Sequence, residues 1–540
     1  MKNARWLVGS CLGISAFVVL PLCIVAFSVF SFDVALWRHL ATTVLSEYVL
    51  NSLILAVGVG IGTIVVGSTL AYLMVNFDFM GKSVLSWMVL LPLAMPAYII
   101  AYTYTGILDF AGPLQTYLRS SFDWQRGDYW FWDVRSLSGA IVMMILVLYP
   151  YVYILARTAF VEQSYSFVKV SKLAGYSRWH HFKRVSLPLA RPAILTGASL
   201  AMMEALADYG TVAYFGVSTF TTGIFRTWFG MGNIQGAAQL STLLCMFVLV
   251  LLVLEKHSRK DASKYQSRHL SQFSVNKLHG IHSLVVMLVC LLPALLGFVV
   301  PFTQLLTWSA QFAEVGDLSS FLALVKNSLV LASVGALVIV GLAVLVSYSK
   351  RLANKRVVNT AEQALSLGYA VPGIVIAVGV LIMAGFIDRH LNQLTIAWFD
   401  YRPGLVFSGT IAVLVFAYTV RFLSVALQNT ETGLQRLPKR LDNAALSLNG
   451  SVFRMLRKIH VPLLSGSVIS ALLLVFVDIL KELPATLVLR PFNFNTLAVR
   501  AYELASDERL LDAALPAISI VLAGLLPVVL LTRQLNKTSV

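Results

Sequence analysis

The stretch KVSKLAGYSRWHHFKRVSLPLARPAI, residues Lys169–Ile194, decides how the rest of the sequence is read. It is basic and polar, although long apolar segments precede and follow it. A second stretch, NAALSLNGSVFRMLRKIHVPLLSGSVI from Asn443, has the same order of features: a small residue near a turn, a basic amphipathic run, and a Leu-Pro or Val-Pro step. Pro188 of the first stretch corresponds to Pro462 of the second. The chain is therefore organised around two copies of one loop.

The composition is that of a membrane protein. Hydrophobic residues make up 58% of the 540 residues and charged residues 12%, compared with roughly 25% charged residues in soluble domains. The net charge of +16 could suggest nucleic-acid binding, but the basic residues are confined to loops, which is typical of membrane topology. The four cysteines lie in apolar runs without metal-ligand spacing and are read as small buried hydrophobes.

The hydrophobic pattern predicts an all-α membrane protein, because lipid offers no partner to free backbone groups. A spanning helix needs ~20 apolar residues. Twelve stretches meet this requirement, at about 7–30, 52–75, 84–107, 138–160, 192–216, 238–255, 282–306, 328–349, 363–386, 404–427, 464–482 and 514–532.

Lysine and arginine in the loops predict the orientation of the spans. With the N-terminus in the cytoplasm, 28 of the 41 basic residues fall in cytoplasmic segments and 11 in external ones. This bias follows the positive-inside rule. Both termini and both basic loops are therefore predicted to be cytoplasmic.

The chain is an internal duplication of two parallel six-helix repeats. Asn51-Ser52-Leu53 matches Asn327-Ser328-Leu329, and Pro96 matches Pro372 at the same offset along the chain. Because each half has an even number of spans, the repeats have the same orientation. The predicted boundaries are a first half over 1–255 with its core at about 47–254, a polar cytoplasmic linker over 256–280, and a second half over 281–540 with its core at about 323–532.

Two acidic residues occupy equivalent positions after the basic loops. Asp208 aligns with Glu482 at the same offset that relates Pro188 to Pro462, and both lie near the ends of the fifth and eleventh spans. Acids at such depth are costly and often functional. One hypothesis is that they face a translocation pathway and favour a cation. The alternative is that they stabilise helices broken at Tyr209-Gly210 and Leu483-Pro484 by hydrogen bonding.

Tyr98 and Tyr102 share a face of the third span and are further candidate pathway residues. Phenolate is a hard ligand suited to highly charged metal ions, while aromatic packing or an interface belt is the alternative. The sequence has no catalytic motif and no cofactor motif. His180-His181 are adjacent, so a helix would point them apart, and no firm metal site is predicted.

The two basic loops have the pattern of a protruding helical hairpin with a proline at the start of the next span. Apolar residues recur on each, and a partner groove could receive them; they are Trp179, Phe182 and Val185 in the first copy and Phe453, Leu456 and Ile459 in the second. The alternative is an interfacial helix on anionic lipid. Periodicity does not choose between the two.

The loops resemble the "EAA" loop of ABC importer permeases of the type I class. Thirteen residues separate Gly175 from Pro188, and the same spacing separates Asn449 from Pro462. Lys169 and Asn443 stand where the family has Glu, and Gly450 lies beside Asn449. The positions that the resemblance assigns to ATPase coupling are Lys169, Ala174, Gly175, Trp179, Phe182, Leu187, Pro188, Asn443, Ala444, Ala445, Asn449, Gly450, Phe453, Val461 and Pro462.

The resemblance covers essentially the whole chain and implies a fused two-domain permease similar to ferric-iron importer permeases of the bacterial inner membrane. It implies two copies of a cytoplasmic ATPase that holds ATP and Mg²⁺, a periplasmic substrate-binding protein, contact with lipid, and no nucleic acid or cofactor in this chain. Similar permeases carry thiamine, polyamines, phosphonates or sulfate. An ion-coupled secondary transporter with two six-helix halves remains the alternative of another class.

Overall fold

Long apolar helices form nearly all of the regular structure in the computed structural model, which describes residues 2–31, 33–125, 127–161, 180, 182–259, 276–312, 318–353, 356–447 and 452–537. The helices before the central linker are α1 Lys2–Phe27, α2 Val34–Thr43, α3 Leu45–Asn76, α4 Lys82–Met88, α5 Ala97–Leu108, α6 Pro113–Phe122, α7 Leu137–Val161, α8 Leu187–Ala207, α9 Gly210–Tyr214, α10 Phe220–Phe225 and α11 Ile234–Arg259.

The second half repeats this order. Its helices are α12 Gly280–Ala294, α13 Val300–Phe312, α14 Leu318–Ala353, α15 Arg356–Ser366, α16 Gly373–Phe399, α17 Ile411–Gln435, α18 Lys439–Ser447, α19 Val452–Met455, α20 Val461–Leu463, α21 Ser465–Leu480, α22 Pro484–Leu489, α23 Leu497–Ser506 and α24 Leu510–Lys537. Two short parallel strands, β1 Phe77–Asp78 and β2 Asn276–Lys277, pair with Phe77 opposite Asn276.

Short turns of other helical types interrupt these elements. The 3₁₀ turns are Ser28–Phe30, Leu91–Ala94 and Gly368–Ala370. The π-helical turns are Phe182–Ser186, Arg226–Gly230, Leu295–Val299 and Leu456–His460. The first and last of these π turns occupy equivalent positions in the two repeats, and each ends directly before a Leu-Pro or Val-Pro step.

The predicted all-helical membrane fold is confirmed. Within the described residues, ten helices are long and apolar enough to cross a membrane, or up to twelve if each of two bent pairs is one span. The bent pairs are Lys82–Ala94 with Ala97–Phe122, at 95°, and Leu456–Leu463 with Ser465–Leu480, at 70°.

Two of the predicted spans are interrupted: the first break was not predicted, and the second lies at the Tyr209-Gly210 step named in the sequence analysis. The span predicted at 363–386 is interrupted at Gly368–Pro372, and its long helix begins at Gly373. The span predicted at 192–216 ends at Ala207 and restarts at Gly210. Proline explains the first break, because Pro372 disfavours helical backbone in the residue before it. Apolar composition does not reveal such breaks.

One compact unit, called unit 1, comprises residues 1–38, 223–245 and 317–500. Helices α14, α17 and α21 pack together, and α1 packs against α14, α15 and α16. Gly379 on α16 lies so close to α1 that an added Cβ would be 2.5 Å from the Pro21 carbonyl oxygen. The unit therefore combines the N-terminal helix with the core of the second repeat.

The other compact unit, called unit 2, comprises residues 39–222, 246–316 and 501–540. Helices α3, α7 and α8 form its centre, and α13 packs against α24. Small residues allow the central helices to approach closely, as is common where lipid gives helices no hydrophobic reason to associate. A Cβ at Gly67 would lie 2.7 Å from the Val152 Cβ, and one at Gly197 would lie 2.6 Å from the Val152 Cα.

Replacing Gly197 tests this close packing. We expect Gly197→Leu to lower the yield of monodisperse protein several-fold, because its side chain would collide with the α7 backbone. Gly341→Leu is the matched control, since a Cβ at Gly341 would have no atom within 4 Å. The measurement is size-exclusion chromatography in detergent. Equal profiles for the two variants would contradict the packing described for unit 2.

Candidate functional site

Helix α8 ends within an apolar part of unit 2, and Asp208 satisfies the backbone that this break exposes. Asp208 Oδ1 accepts hydrogen bonds from the amides of Thr211 (2.9 Å) and Val212 (3.3 Å), while Oδ2 accepts from the Thr211 hydroxyl (3.1 Å). The Thr221 hydroxyl donates to the Asp208 carbonyl oxygen at 2.8 Å. Amides in the first turn of a helix have no partner within the helix. Asp208 therefore caps α9.

Glu482 has the equivalent role in unit 1. Glu482 Oε2 accepts from the amides of Ala485 (3.1 Å) and Thr486 (3.4 Å), at the start of α22. The Thr486 hydroxyl donates to the Glu482 carbonyl oxygen at 2.8 Å. The predicted breaks at Tyr209-Gly210 and Leu483-Pro484 are thus confirmed, since α9 begins at Gly210 and α22 at Pro484.

An arginine distinguishes the second break from the first. Arg421 Nη1, on α17, donates to Glu482 Oε1 at 2.8 Å, and the two side chains are 12% and 2% exposed. A Cβ at Gly373 would lie 2.1 Å from Arg421 Nη1, so this glycine leaves room for the pair. At the offset that relates Asp208 to Glu482, the first half has Val147 in place of Arg421. Sequence reasoning placed Arg421 within a helix but missed its partner.

The repeated Asn-Ser pair anchors the segment that follows each break. In unit 2, Asn51 Nδ2 donates to the Ser218 carbonyl oxygen (2.9 Å), and Ser52 Oγ accepts from the Phe220 amide (3.1 Å). In unit 1, Asn327 Nδ2 donates to the Asn495 carbonyl oxygen (3.4 Å), and Ser328 Oγ accepts from the Leu497 amide (2.8 Å).

In the sequence, the Asn-Ser repeat indicates the duplication. Its presence at the same place in both halves also indicates that the pair has a role in each repeat, which the sequence analysis missed. In each repeat it ties the N-terminal part of a long helix to the chain beyond the broken helix. These contacts and the two caps agree with the hypothesis that the acids stabilise broken helices. A role of Asp208 and Glu482 in a translocation pathway stays a prediction.

Tyr98 and Tyr102 lie one turn apart on α5, and both are buried. The Tyr102 ring meets the Tyr214 ring edge-on, with 6.3 Å between the ring centroids. The nearby Tyr104 hydroxyl donates to the Leu296 carbonyl oxygen at 2.7 Å. The contact of Tyr102 is aromatic packing, as one of the two hypotheses for these tyrosines predicts. A position of Tyr98 and Tyr102 in a translocation pathway stays a prediction.

The loop hairpins are described in part. Pro188 stands at the start of α8 and Pro462 at the start of α20, where a proline has no missing helical hydrogen bond. Pro188, Val461 and Pro462 are exposed, while Leu187 is half-buried. Asn443, Ala444 and Ala445 belong to α18. Pro188 therefore begins a long helix, whereas Pro462 begins a three-residue helix that a 70° bend separates from α21.

Other predicted coupling residues lie outside the described residues. They are Lys169, Ala174, Gly175, Trp179, Asn449 and Gly450, together with the side chains of Asn443, Ala444, Ala445 and Phe453.

Part of the predicted apolar docking face was wrong. Leu456 is buried in a cluster with Leu7, Tyr348 and Met455, and Ile459 packs against the same cluster. In the first loop, the Phe182 ring lies against the Tyr72 ring, with 4.4 Å between centroids. The i, i+3 spacing predicted apolar faces on the two loops. Of these residues, Phe182, Leu456 and Ile459 pack against other parts of this chain.

A charged cluster lies beside the second hairpin in unit 1. Lys350 Nζ contacts Glu362 Oε2 at 2.6 Å and also pairs with Glu431. Burial raises the pKa of the Glu362 carboxyl to about 7, and the Glu431 carboxylate adds to this shift, while Lys350 opposes it. Lys350, near the end of α14, therefore holds one carboxylate of α15 and one of α17 together.

Each half of this duplicated membrane body has a proline-marked loop followed by a helix that is broken at a matched point. This is the architecture of a transport permease. The chain belongs to the family described as the inner membrane component of binding-protein-dependent transport systems, which it matches over residues 63–255 and 339–538. The resemblance to ABC importer permeases is thereby confirmed, as is the duplication. The chain is a multi-pass inner-membrane protein.

The chain is similar to transport permeases named for different substrates. It is 26% identical to the Fe(3+)-transport system permease protein FbpB 2 of Haemophilus influenzae over 91% of each chain. It is 22% identical to the ferric transport system permease protein FbpB of Actinobacillus pleuropneumoniae, over 84% of this chain and 66% of that one. The molybdenum transport system permease protein ModB of Haemophilus influenzae is 25% identical but aligns with 38% of this chain and 87% of its own.

The Arg421–Glu482 pair can be tested by breaking it in two ways. We expect Arg421→Met to lower the free energy of unfolding by about 3 kcal/mol, because it leaves a buried carboxylate without its cation. Adding Glu482→Gln should recover more than half of this loss, since glutamine keeps an oxygen for the α22 amides. Denaturant titration in detergent measures both.

Lys481→Met is the matched control, because Lys481 pairs with Asp478 at 3.0 Å in a more exposed setting. It should cost less than about 1 kcal/mol. If the losses of the two single changes at Arg421 and Glu482 simply added in the double variant, the pairing described here would be contradicted.

Proposed function

We propose that this chain is the permease subunit of an ATP-driven importer, in which it forms the translocation pathway across the inner membrane. Two copies of a separate cytoplasmic ATPase, which hold the ATP and Mg²⁺, bind the two basic loops. A periplasmic binding protein delivers the substrate on the other side. Both termini and both loops face the cytoplasm, as the distribution of lysine and arginine favours. This chain itself is not an enzyme and carries no cofactor.

The observation that carries this proposal is the matched pair of loops. In each repeat a basic segment leads through a π-helical turn and a proline step into the helix that ends at a capped break. A displacement of either loop would therefore move the helix that follows it, which is α8 in the first repeat and α21 in the second. The far end of each of these helices lies at a capped break. An ion-coupled transporter has no need of such loops at matched positions.

We propose ferric iron as the substrate. Support comes from the relative named for Fe(3+) transport, which aligns over 91% of both chains. The relative named for molybdenum transport aligns with only one part of this chain. Thiamine, polyamines, phosphonates and sulfate are the competing substrates. Uptake of radiolabelled ferric citrate by iron-starved cells, with and without this gene, tests the choice, and molybdate serves as the control substrate.

Changing Gly175 tests the coupling role of the first loop. The family resemblance places Gly175 in the turn of the coupling hairpin, where a large side chain would displace the docking surface. We expect Gly175→Trp to reduce ATP-dependent uptake about ten-fold or more while the membrane body stays folded. The measurement combines uptake with the yield of monodisperse protein. Normal uptake by this variant would contradict the coupling role.

Two changes at Asp208 separate capping from a cation pathway. The asparagine Oδ1 can still accept from the Thr211 and Val212 amides, so Asp208→Asn should retain most of the uptake if the residue is a cap. Asp208→Ala removes the cap, which costs about 1 kcal/mol or more, and should reduce the yield of folded protein. If Asp208→Asn folds normally but abolishes uptake, the carboxylate charge serves transport itself.

A further inference from the structure

A buried carboxylate holds both arms of the second hairpin against the end of a long helix. Asp442 lies in the first turn of α18 and is 7% exposed. Its Oδ2 accepts from Arg351 Nε at 2.8 Å, and its Oδ1 accepts from Arg351 Nη2 at 3.2 Å and from His460 Nε2 at 2.8 Å. Arg351 lies in the last turn of α14, and His460 closes the π-helical turn before Val461. Three elements therefore meet at one carboxylate.

The remaining donors of Arg351 bind the turn that leads into the hairpin. Its guanidinium donates to the carbonyl oxygen of Leu434 at the end of α17, and to those of Leu437 (3.1 Å) and Pro438 (3.4 Å) before α18. A guanidinium is a planar fork with fixed donor directions, so these bonds set the angle at which the chain enters the hairpin.

His460 is held from both sides. Its side chain is fully buried, and its ring meets the Tyr348 ring edge-on, with 5.3 Å between the centroids. Tyr348 lies on α14, one turn before Arg351, and belongs to the apolar cluster that receives Leu456. The segment directly before the Val-Pro step therefore has a polar contact with Asp442 of α18 and an apolar contact with Tyr348 of α14.

The first hairpin lacks these residues. At the offsets of the repeat, Val75 replaces Arg351, Val168 replaces Asp442 and Ser186 replaces His460. Tyr72 occupies the position of Tyr348, and its ring packs against Phe182 of the first loop. Among the described residues of the first loop, Phe182 contacts α3 through this aromatic pair. The second hairpin is held to α14 through directional, charged hydrogen bonds of Arg351 and Asp442.

We propose that Arg351, Asp442 and His460 are positioning residues that transmit movement of the second hairpin into α14. This inference rests on the proposed function. A buried, two-pronged ion pair resists separation, because parting it would leave a buried charge unpaired. Movement of the second hairpin therefore also moves the end of α14 to which Asp442 is bound.

The test measures iron transported per ATP hydrolysed in proteoliposomes that contain this chain, its ATPase and its ferric-loaded binding protein. We expect Asp442→Asn and His460→Leu each to lower this ratio by about five-fold or more while ATP hydrolysis continues. His460→Gln should stay within about two-fold of wild type, because the glutamine Nε2 can still donate to Asp442. Ser186→Ala, at the equivalent position of the first hairpin, is the matched comparison and should lower the ratio less than His460→Leu does.

The outcomes separate this assignment from the proposed function. If Asp442→Asn does not assemble, the difference between His460→Leu and His460→Gln decides the matter. An unchanged ratio in assembled His460→Leu, with ATP-dependent wild-type uptake, overturns the positioning role alone. Equal losses in His460→Leu and His460→Gln overturn the role of the Asp442 hydrogen bond. Wild-type uptake that needs no ATP overturns the proposed function and this inference together.

Discussion

Backbone amides at a break inside an apolar unit need hydrogen-bond partners, and this requirement governs the arrangement of both repeats. Lipid supplies no such partner, and an unsatisfied group costs several kcal/mol. Asp208 and Glu482 each satisfy two amides, and the Asn-Ser pairs fix the chain that follows. The breaks are therefore fixed structural points.

The same helices link these fixed points to the basic loops. Helix α8 has 21 residues and is about 30 Å long at ~1.5 Å per residue, with Pro188 near one end and Asp208 directly after the other. In unit 1 the path from Val461 to Leu480 has a 70° bend between Leu463 and Ser465. The two repeats thus share one plan but differ in the course of the helix that follows the loop. The Arg421–Glu482 pair and the Asp442 contacts both lie in the second repeat, and each adds charge-assisted bonds that the first repeat lacks at the equivalent positions.

Short sequence patterns predicted the features that depend on neighbouring residues in the chain. Apolar stretches located the membrane helices, repeated triplets revealed the duplication, and Tyr209-Gly210 and Leu483-Pro484 marked the breaks. Contacts between distant residues could not be predicted this way. Asp442 and His460 are 18 residues apart, and Arg351 is 91 residues from Asp442, so a single sequence gives no signal for their meeting. The periodicity of Leu456 and Ile459 showed an apolar face without showing that α14 and Leu7 cover it.

Reconstitution tests the central claim, which is that movement of the two loops by a partner ATPase drives transport. The purified chain would be placed in proteoliposomes with the ferric-loaded binding protein, with or without the ATPase, and ferric iron entry would be followed under a proton or sodium gradient and under ATP. The account predicts entry only when the ATPase and hydrolysable ATP are both present. Uptake driven by an ion gradient in the absence of the ATPase would contradict it.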